Sequence, residues 1–323
     1  MIEKTLVVDV SLYQPKMDWK VLAENGVAGV IAKASSGSFR KDPLFLRHVQ
    51  EAKAAGLVVG AYHWCDPSND DLAQAKNFLS VIQDQPVSFL AVDMEQYWQV
   101  WAEFYERKIT TILPGKRISE NAYRVASYLR KYSGLPVLIY TRASFVVFRA
   151  PQSVEWLPKF PLWLAHYPYS RDRITTTWTD LKKNHLPKLI GPLMPPNCKS
   201  WVFWQFSGDK FRLPGTNGLI DLNFFNGSRD DLDYFIKTGQ LPERIEEEPV
   251  LPHKAMVLAR LNVRSEPKIE YRNIVGKIEK GTIVDVLETR WVGMDKWARI
   301  GENRWVAMQF RNALLMVWND VNG

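Results

Sequence analysis

Asp93 and Glu95 are the residues of this chain whose types and spacing most directly offer chemistry. They follow the apolar run 89–92, and in extended backbone two residues apart point to the same side. Carboxyl groups that close cannot both ionise freely. Repulsion and burial would lift the pKa of one, leaving a proton donor beside a retained negative charge. That combination is what cleavage of a glycosidic bond requires. The same Asp-x-Glu spacing also arises from capping or solvated acids after a strand; spacing alone favours that reading, and the position after an apolar run brings the two level.

Other apolar runs end on residues of the same kinds. Run 6–10 carries Asp9, with Ser11, Tyr13 and Gln14 behind it, and run 29–33 ends on Lys33. Run 58–63 ends on Tyr62 and His63 with Trp64 next, and run 137–140 ends on Tyr140. Run 162–165 carries Trp163 and leads into His166 and Tyr167, while 202–205 ends on Trp204 and Gln205. Acids and aromatics dominate, and aromatic faces stack on the apolar C–H faces of sugars. Lys33 is the clear cation, expected to neutralise Asp9 or Asp221. His63 and His166 read as hydrogen-bonded structural histidines. No His, Cys and acid cluster has metal-ligand spacing, so neither metal nor cofactor is expected. Ser35-Ser36-Gly37 lacks the strand–Gly-x-Ser-x-Gly–helix setting of a nucleophile elbow.

The elements that must position these residues alternate. Near-continuous apolar runs suit parallel strands covered on both faces. Helices are expected at 18–25, 42–55, 70–83 and 119–132, the second stopping at Gly56 and the last at Gly134. The pattern predicts an α/β fold, an irregular TIM-like β/α barrel, whose strands deliver their C-terminal ends to one face. A Gly-x-Gly-x-x-Gly turn is missing after the first run, against a nucleotide-binding sheet. Segment 168–200 reads as long loops, which argues against a complete regular eight-fold barrel. Segment 96–117 is an aromatic-rich insertion, read from its composition as a helix packed on the barrel rim, with an extension of a sugar groove as the alternative. Domain boundaries are placed at 1–237 for the barrel, 238–254 for an exposed linker with the run Glu246-Glu247-Glu248, and 255–323 for a small all-β barrel with strands at 257–261, 275–278, 283–287, 297–300 and 305–308.

The 323 residues carry a formal net charge of +7. A basic excess favours encounter with an anionic polymer, but no Lys/Arg run or motif marks a nucleic-acid binder. Cys65 and Cys198 are too few and too far apart for a disulfide framework, and no apolar stretch is long enough to span a membrane. The opening Met1-Ile2-Glu3-Lys4-Thr5 lacks the apolar core of a secretion signal, so the chain is expected to be made in the cytoplasm.

Several segments, in order, resemble the family-25 glycoside hydrolases, the bacterial and phage muramidases. They are Val8-Asp9-Val10-Ser11 with Gln14 and Asp18-Trp19, Ile31-Ala32-Lys33-Ala34-Ser35 with Gly37, Ala55-Gly56 through Tyr62-His63, and Val92-Asp93-Met94-Glu95. Ile139-Tyr140-Thr141, Leu162-Trp163 through His166-Tyr167, Trp204-Gln205-Phe206-Ser207 and Ile220-Asp221-Leu222-Asn223-Phe224-Phe225 complete the set, covering about 5–228. The resemblance implies a lysozyme cutting peptidoglycan between N-acetylmuramic acid and N-acetylglucosamine, as in phage endolysins. Glu95 then matches the general acid, Asp93 its carboxylate neighbour, and Asp9 and Asp221 two further active-site acids. Tyr62 and Tyr140 match groove aromatics, and Trp163, Lys33, Gln205 and Tyr167 complete the expected substrate-binding set. The segments Leu261-Asn262-Val263-Arg264-Ser265-Glu266-Pro267, Val275-Gly276, Gly281-Thr282-Ile283-Val284 and Trp305-Val306 are similar to bacterial SH3-like domains, which bind wall peptides or glycans. A monomer acting at the bacterial wall after release is the expectation that follows. The alternatives are a glycan-binding protein without turnover and a hydrolase of another N-acetylated glycan such as chitin.

Overall fold

The structure, a computed structural model, describes residues 3–168, 178–186, 189, 191–243, 251–292, 295–310 and 313–318. Two compact units emerge, residues 1–178 with 192–243, and residues 179–191 with 244–323.

The first unit is a closed barrel. Its strands are β1 (Thr5–Val10), β2 (Val27–Ser36), the short hairpin partner β3 (Arg40–Lys41), β4 (Val58–Trp64), β5 (Phe89–Asp93), β6 (Val137–Thr141), β7 (Leu162–Ala165), β8 (Phe203–Phe211) and β9 (Ile220–Phe225). Leaving β3 aside, eight strands run in the order β1-β9-β8-β7-β6-β5-β4-β2, and β2 pairs back onto β1 to close the ring. Seven of them are parallel. β9 alone runs the other way, antiparallel to both β8 and β1. The expected irregularity is therefore a reversed strand within a complete closure. The apolar runs gave seven strands, and the eighth is the segment that begins at Ile220.

Side chains alternate in and out along each strand, and the inward series changes character with height. On β5 it reads Phe89, Ala91, Asp93; on β1 Val7, Asp9; on β8 Phe203, Gln205; and on the reversed β9 Phe225, Asn223, Asp221. Apolar residues fill the lower barrel and polar residues close its upper end. The bottom is plugged by α8 (Arg229–Thr238), whose Phe235 packs on Phe89, Phe203 and Phe225 with ring centroids about 6.1 Å away in each case. α8 starts at a capping box between Ser228 and Asp231 and ends at Gly239, whose φ of 73° suits glycine. Each fully buried Phe of this cluster contributes about 1.5–3 kcal/mol. Gly60 admits the ring of Phe89, since a Cβ there would lie 2.3 Å from it.

The outer layer includes α2 (Phe45–Ala54), packed on β2 and β4, and α5 (Gly115–Tyr132), packed on β5 and β6. α1 (Trp19–Glu24) is capped by Asp18 and α3 (Asp71–Ile82) by Asp70. The predicted ends at Gly56 and Gly134 hold, with φ of 80° and 70°. The insertion contains only the short helix α4 (Trp101–Tyr105), and α5 begins four residues earlier than its periodicity suggested. α6 (Ala143–Arg149) follows β6 directly. Of the stretch read as loops, residues 169–177, 187–188 and 190 lie outside the described residues, and α7 (Trp178–Asp180) runs into a π-turn at Leu181–His185.

The second unit is built of antiparallel strands: β10 (His253–Val257), β11 (Leu261–Arg264), β12 (Ile274–Ile278), β13 (Ile283–Val286), β14 (Glu288–Val292), β15 (Asp295–Gly301), β16 (Arg304–Phe310), β17 (Ala313–Leu314) and β18 (Met316–Trp318). One sheet orders β13-β10-β18, the other β12-β11-β16-β15-β14. Ala255, Val257, Val263, Val286, Ala298, Val306, Met308 and Met316 form its core. The strand expected at 257–261 is corrected: the chain turns between Val257 and Leu261, so those residues end one strand and begin another. β14 escaped notice because its residues are mostly exposed and lack an apolar face. Of the expected linker, 244–250 lies outside the described residues, while His253 and Lys254 already belong to β10.

Candidate active site

The upper end of the barrel opens into a cavity of about 220 Å³. Asp9, Lys33, Tyr62, Asp93, Tyr140, Trp163 and Gln205 reach it from seven parallel strands, and Asp221 reaches it from the start of the reversed β9, where it pairs with Asp9 in register. Glu95, just beyond β5, and Tyr167, just beyond β7, complete the expected set, so the cavity brings all ten residues together.

Asp93 is buried, and its Oδ1 meets no hydrogen-bond partner among the described residues. Burial pushes its carboxyl well above the usual range, and Glu95 beside it adds to the rise. Glu95 keeps about a fifth of its side chain exposed, and its Oε2 lies 3.5 Å from Arg142 Nη2. Burial raises its carboxyl too, against the opposing pull of Arg142 and Lys33. Both acids therefore hold protons more tightly than free carboxyls do, where the spacing called for one raised acid beside a retained negative charge.

Burial lowers the pKa of Lys33, and the acids that pull it back up are Asp93 first, then Asp42 and Glu95. β2 stands two strands from β5, and Lys33 lies over the rings of Trp64 and Tyr62, at 4.7 and 5.8 Å from their centroids.

A second polar group fills the opposite wall. Gln205 Nε2 donates to Asp9 Oδ2 at 2.9 Å and to Asp221 Oδ2 at 3.3 Å. Its Oε1 accepts from the hydroxyls of Tyr140 and Tyr167 at 2.8 and 2.6 Å. Asn223 Nδ2 adds a second donor to Asp9 Oδ2 at 2.7 Å, while its Oδ1 accepts from Trp163 Nε1 at 2.7 Å. Burial and the surrounding acids raise the phenols of Tyr62, Tyr140 and Tyr167, so they remain protonated.

Asn223 and Arg142 were missed by sequence reasoning. Asn223 stands two residues from Asp221 on one strand, so the same period that linked Asp93 to Glu95 marks it. Arg142 directly follows β6, and only the fold carries it to Glu95. Ser11, Tyr13, Gln14 and Trp64, noted at strand ends, also line the cavity.

The histidines divide. His63 Nδ1 accepts from the Ser35 hydroxyl at 2.8 Å while its Nε2 faces Gln74 Oε1 at 3.4 Å, and burial lowers its pKa to about 4. His166 departs from expectation: its Nδ1 has no partner among the described residues, and its ring stacks on Trp204 at 6.1 Å.

In sequence and in fold the chain is similar to known proteins. The chain is 29% identical over 236 residues to YegX of Escherichia coli (strain K12), covering 71% of this chain and 72% of that one. It is 25% identical over 229 residues to Lysozyme M1 of Streptomyces globisporus, covering 68% and 67%. The solved muramidase of Trichobolus zukalii superposes with a TM-score of 0.54 at 25% identity, over 73% of this chain and all of that one. Residues 8–216 match the family described as glycosyl hydrolases family 25, and with that match over most of its length this chain belongs to the family and is a glycoside hydrolase.

Proposed function

We propose that the enzyme is a lysozyme of the N-acetylmuramidase type, cutting the β-1,4 bond between N-acetylmuramic acid and N-acetylglucosamine in peptidoglycan. The observation that carries this reading is the Asp93–Glu95 pair, both pushed toward protonation at one end of an aromatic cavity. Glu95, partly exposed, delivers its proton to the glycosidic oxygen, and positive charge develops at the anomeric carbon. Asp93 faces that charge from inside the barrel. In its carboxylate form Asp93 stabilises the developing cation, and the cation in turn favours that form. Tyr62, Tyr140, Trp163 and Tyr167 offer ring faces and hydroxyls to the sugar, and Gln205 fixes Asp9 and Asp221 opposite the acid pair.

The second unit serves, in this proposal, as a bacterial SH3-like module that binds wall glycan or stem peptide. Holding the barrel near its polymer would raise the local concentration of bonds to cut. The enzyme is made in the cytoplasm and meets the wall after release, in the manner of a phage or prophage endolysin, and works as a monomer.

The test is release of fragments from purified peptidoglycan by the wild type and Glu95→Gln. New reducing ends on muramic acid, lost in the variant, are expected. Binding without cleavage by the wild type across several wall types would overturn the proposal.

A further inference from the structure

Beside the cavity, the aromatic-rich insertion is tied down as a rigid loop. Gln99 N donates to Thr111 O at 3.0 Å and Leu113 N to Tyr97 O at 2.9 Å. The Glu103 carboxylate accepts from the backbone N–H groups of Thr110 and Thr111 at 2.8 Å each and from both hydroxyls, which holds its pKa down at about 2. The loop is thus ordered by its own bonds.

Its rings continue a series that begins inside the cavity. Trp64 lines the cavity, Trp101 lies 6.1 Å from Trp64 between ring centroids, and Tyr105 lies 5.8 Å from Trp101. Trp98 and Phe104, stacked at 4.0 Å, support them from behind. Both outer indoles turn their N–H edges inward. Trp64 Nε1 donates to Gln96 Oε1 at 2.9 Å, Trp101 Nε1 donates to Asp66 Oδ2 at 3.3 Å, and Gln96 Nε2 joins the two by donating to Asp66 Oδ1 at 2.9 Å. Asp66 and Gln96 are buried. Placing a carboxylate and an amide beneath a surface loop is costly unless each bond is made. Here the bonds fix two half-buried indole planes, with Lys33 against the ring of Trp64 and Arg40 against that of Trp101. Tyr105 is 68% exposed, and Arg40 places its guanidinium 5.5 Å from the Trp101 centroid.

We infer that Trp64, Trp101 and Tyr105 form a further glycan subsite, a ledge on which N-acetylated sugar rings of the substrate strand stack beyond the bond being cut. Continuity with the reaction cavity identifies the occupant as the same strand, and Arg40 adds positive charge suited to an acidic one. The inference rests on the muramidase reading for the nature of that strand. Apolar sugar faces stack on pre-oriented rings without paying to order them, so the ledge contributes affinity for long chains.

The test uses the full chain carrying Glu95→Gln, titrated with the β-1,4-linked N-acetylglucosamine disaccharide and hexasaccharide and followed by calorimetry and tryptophan fluorescence. The hexasaccharide is expected to bind more tightly. Adding Trp101→Ala should weaken hexasaccharide binding about tenfold and leave the disaccharide within about twofold. Tyr105→Ala, at an exposed ring, should give a smaller loss in the same direction, and Trp101→Phe should retain most of the affinity. An unchanged hexasaccharide affinity, or equal losses for both sugars, would overturn the ledge while leaving binding at the cavity intact. If the parent binds neither sugar, the ledge falls, while release of muramic-acid reducing ends from peptidoglycan by the wild type decides the muramidase reading separately.

Discussion

Gln205 Nε2 donates to Asp9 Oδ2 across the β8-to-β1 side of the barrel at 2.9 Å, and this bond fixes which way the Gln205 amide points. Its oxygen must then face the two tyrosine hydroxyls, and its nitrogen must face the two acids.

Replacing Gln205 by Glu would set a third carboxyl against Asp9 and Asp221 and remove their donor. Loss of buried hydrogen bonds costs about 1–3 kcal/mol, and displaced substrate-positioning groups cost about 10²-fold in rate. Gln205→Glu should therefore melt earlier and lose about two orders of magnitude in kcat/KM. Wild-type activity with an unchanged melting temperature would refute the bracing role.

Arg142 sets the pH range through Glu95. The guanidinium favours the ionised carboxylate, so removing it raises the pKa of Glu95 further. A general acid must be protonated to act, and the alkaline limb of the kcat/KM profile follows its loss of a proton. Arg142→Met should move that limb to higher pH. The side chain is half exposed, so solvent screens the pair, and the shift should be modest, shrinking with added salt and growing as ionic strength falls. A limb that stays in place would remove Arg142 from this role.

Asp93 should illustrate the tension between stability and activity. Its folded pKa lies above the unfolded value, so the folded state binds more protons once pH rises past about 4. Stability is therefore lost as pH rises through that window. Asn in its place carries no charge to bury. Asp93→Asn should be inactive yet more stable than wild type by about 1 kcal/mol near neutral pH, with a smaller gain at about pH 4. Denaturant midpoints at the two pH values decide the matter; a less stable variant at neutral pH would contradict the account.

Much of this arrangement was legible in the sequence because a strand has period two and a barrel gathers strand ends. Asp9, Lys33, Tyr62, Asp93, Tyr140 and Gln205 each close an apolar run, so reading those runs also located the cavity wall. The reversed β9 was harder. Its parallel-looking apolar run says nothing about direction, and only the pairing of Asp9 with Asp221 shows that its first residues meet the upper face. The pull of Asp93 on Lys33 was hidden for a related reason: distance around a closed ring depends on strand order and tilt, which local pattern does not encode. The Asp66–Gln96–Trp101 network was invisible, since its members are joined by a loop whose path no periodicity describes.

His63 offers a last test, one that separates folding from chemistry. The ring is buried and neutral, held between Ser35 and Gln74, with a pKa lowered to about 4. An unfolded histidine titrates near about 6.5. Between those values the unfolded chain binds the extra proton, so stability must fall as pH drops from about 6.5 toward 4, by about 3 kcal/mol from this group alone. The raised carboxyls of Asp93 and Glu95 pull the opposite way in part of the same range, so the comparison has to be made against a variant. His63→Gln cannot titrate. It should be less stable than wild type at pH of about 7, where the Ser35 bond and the stacking on Phe78 are weakened, and this deficit should narrow steadily on acidification. Parallel stability curves for the two proteins across the window would mean that His63 does not titrate there.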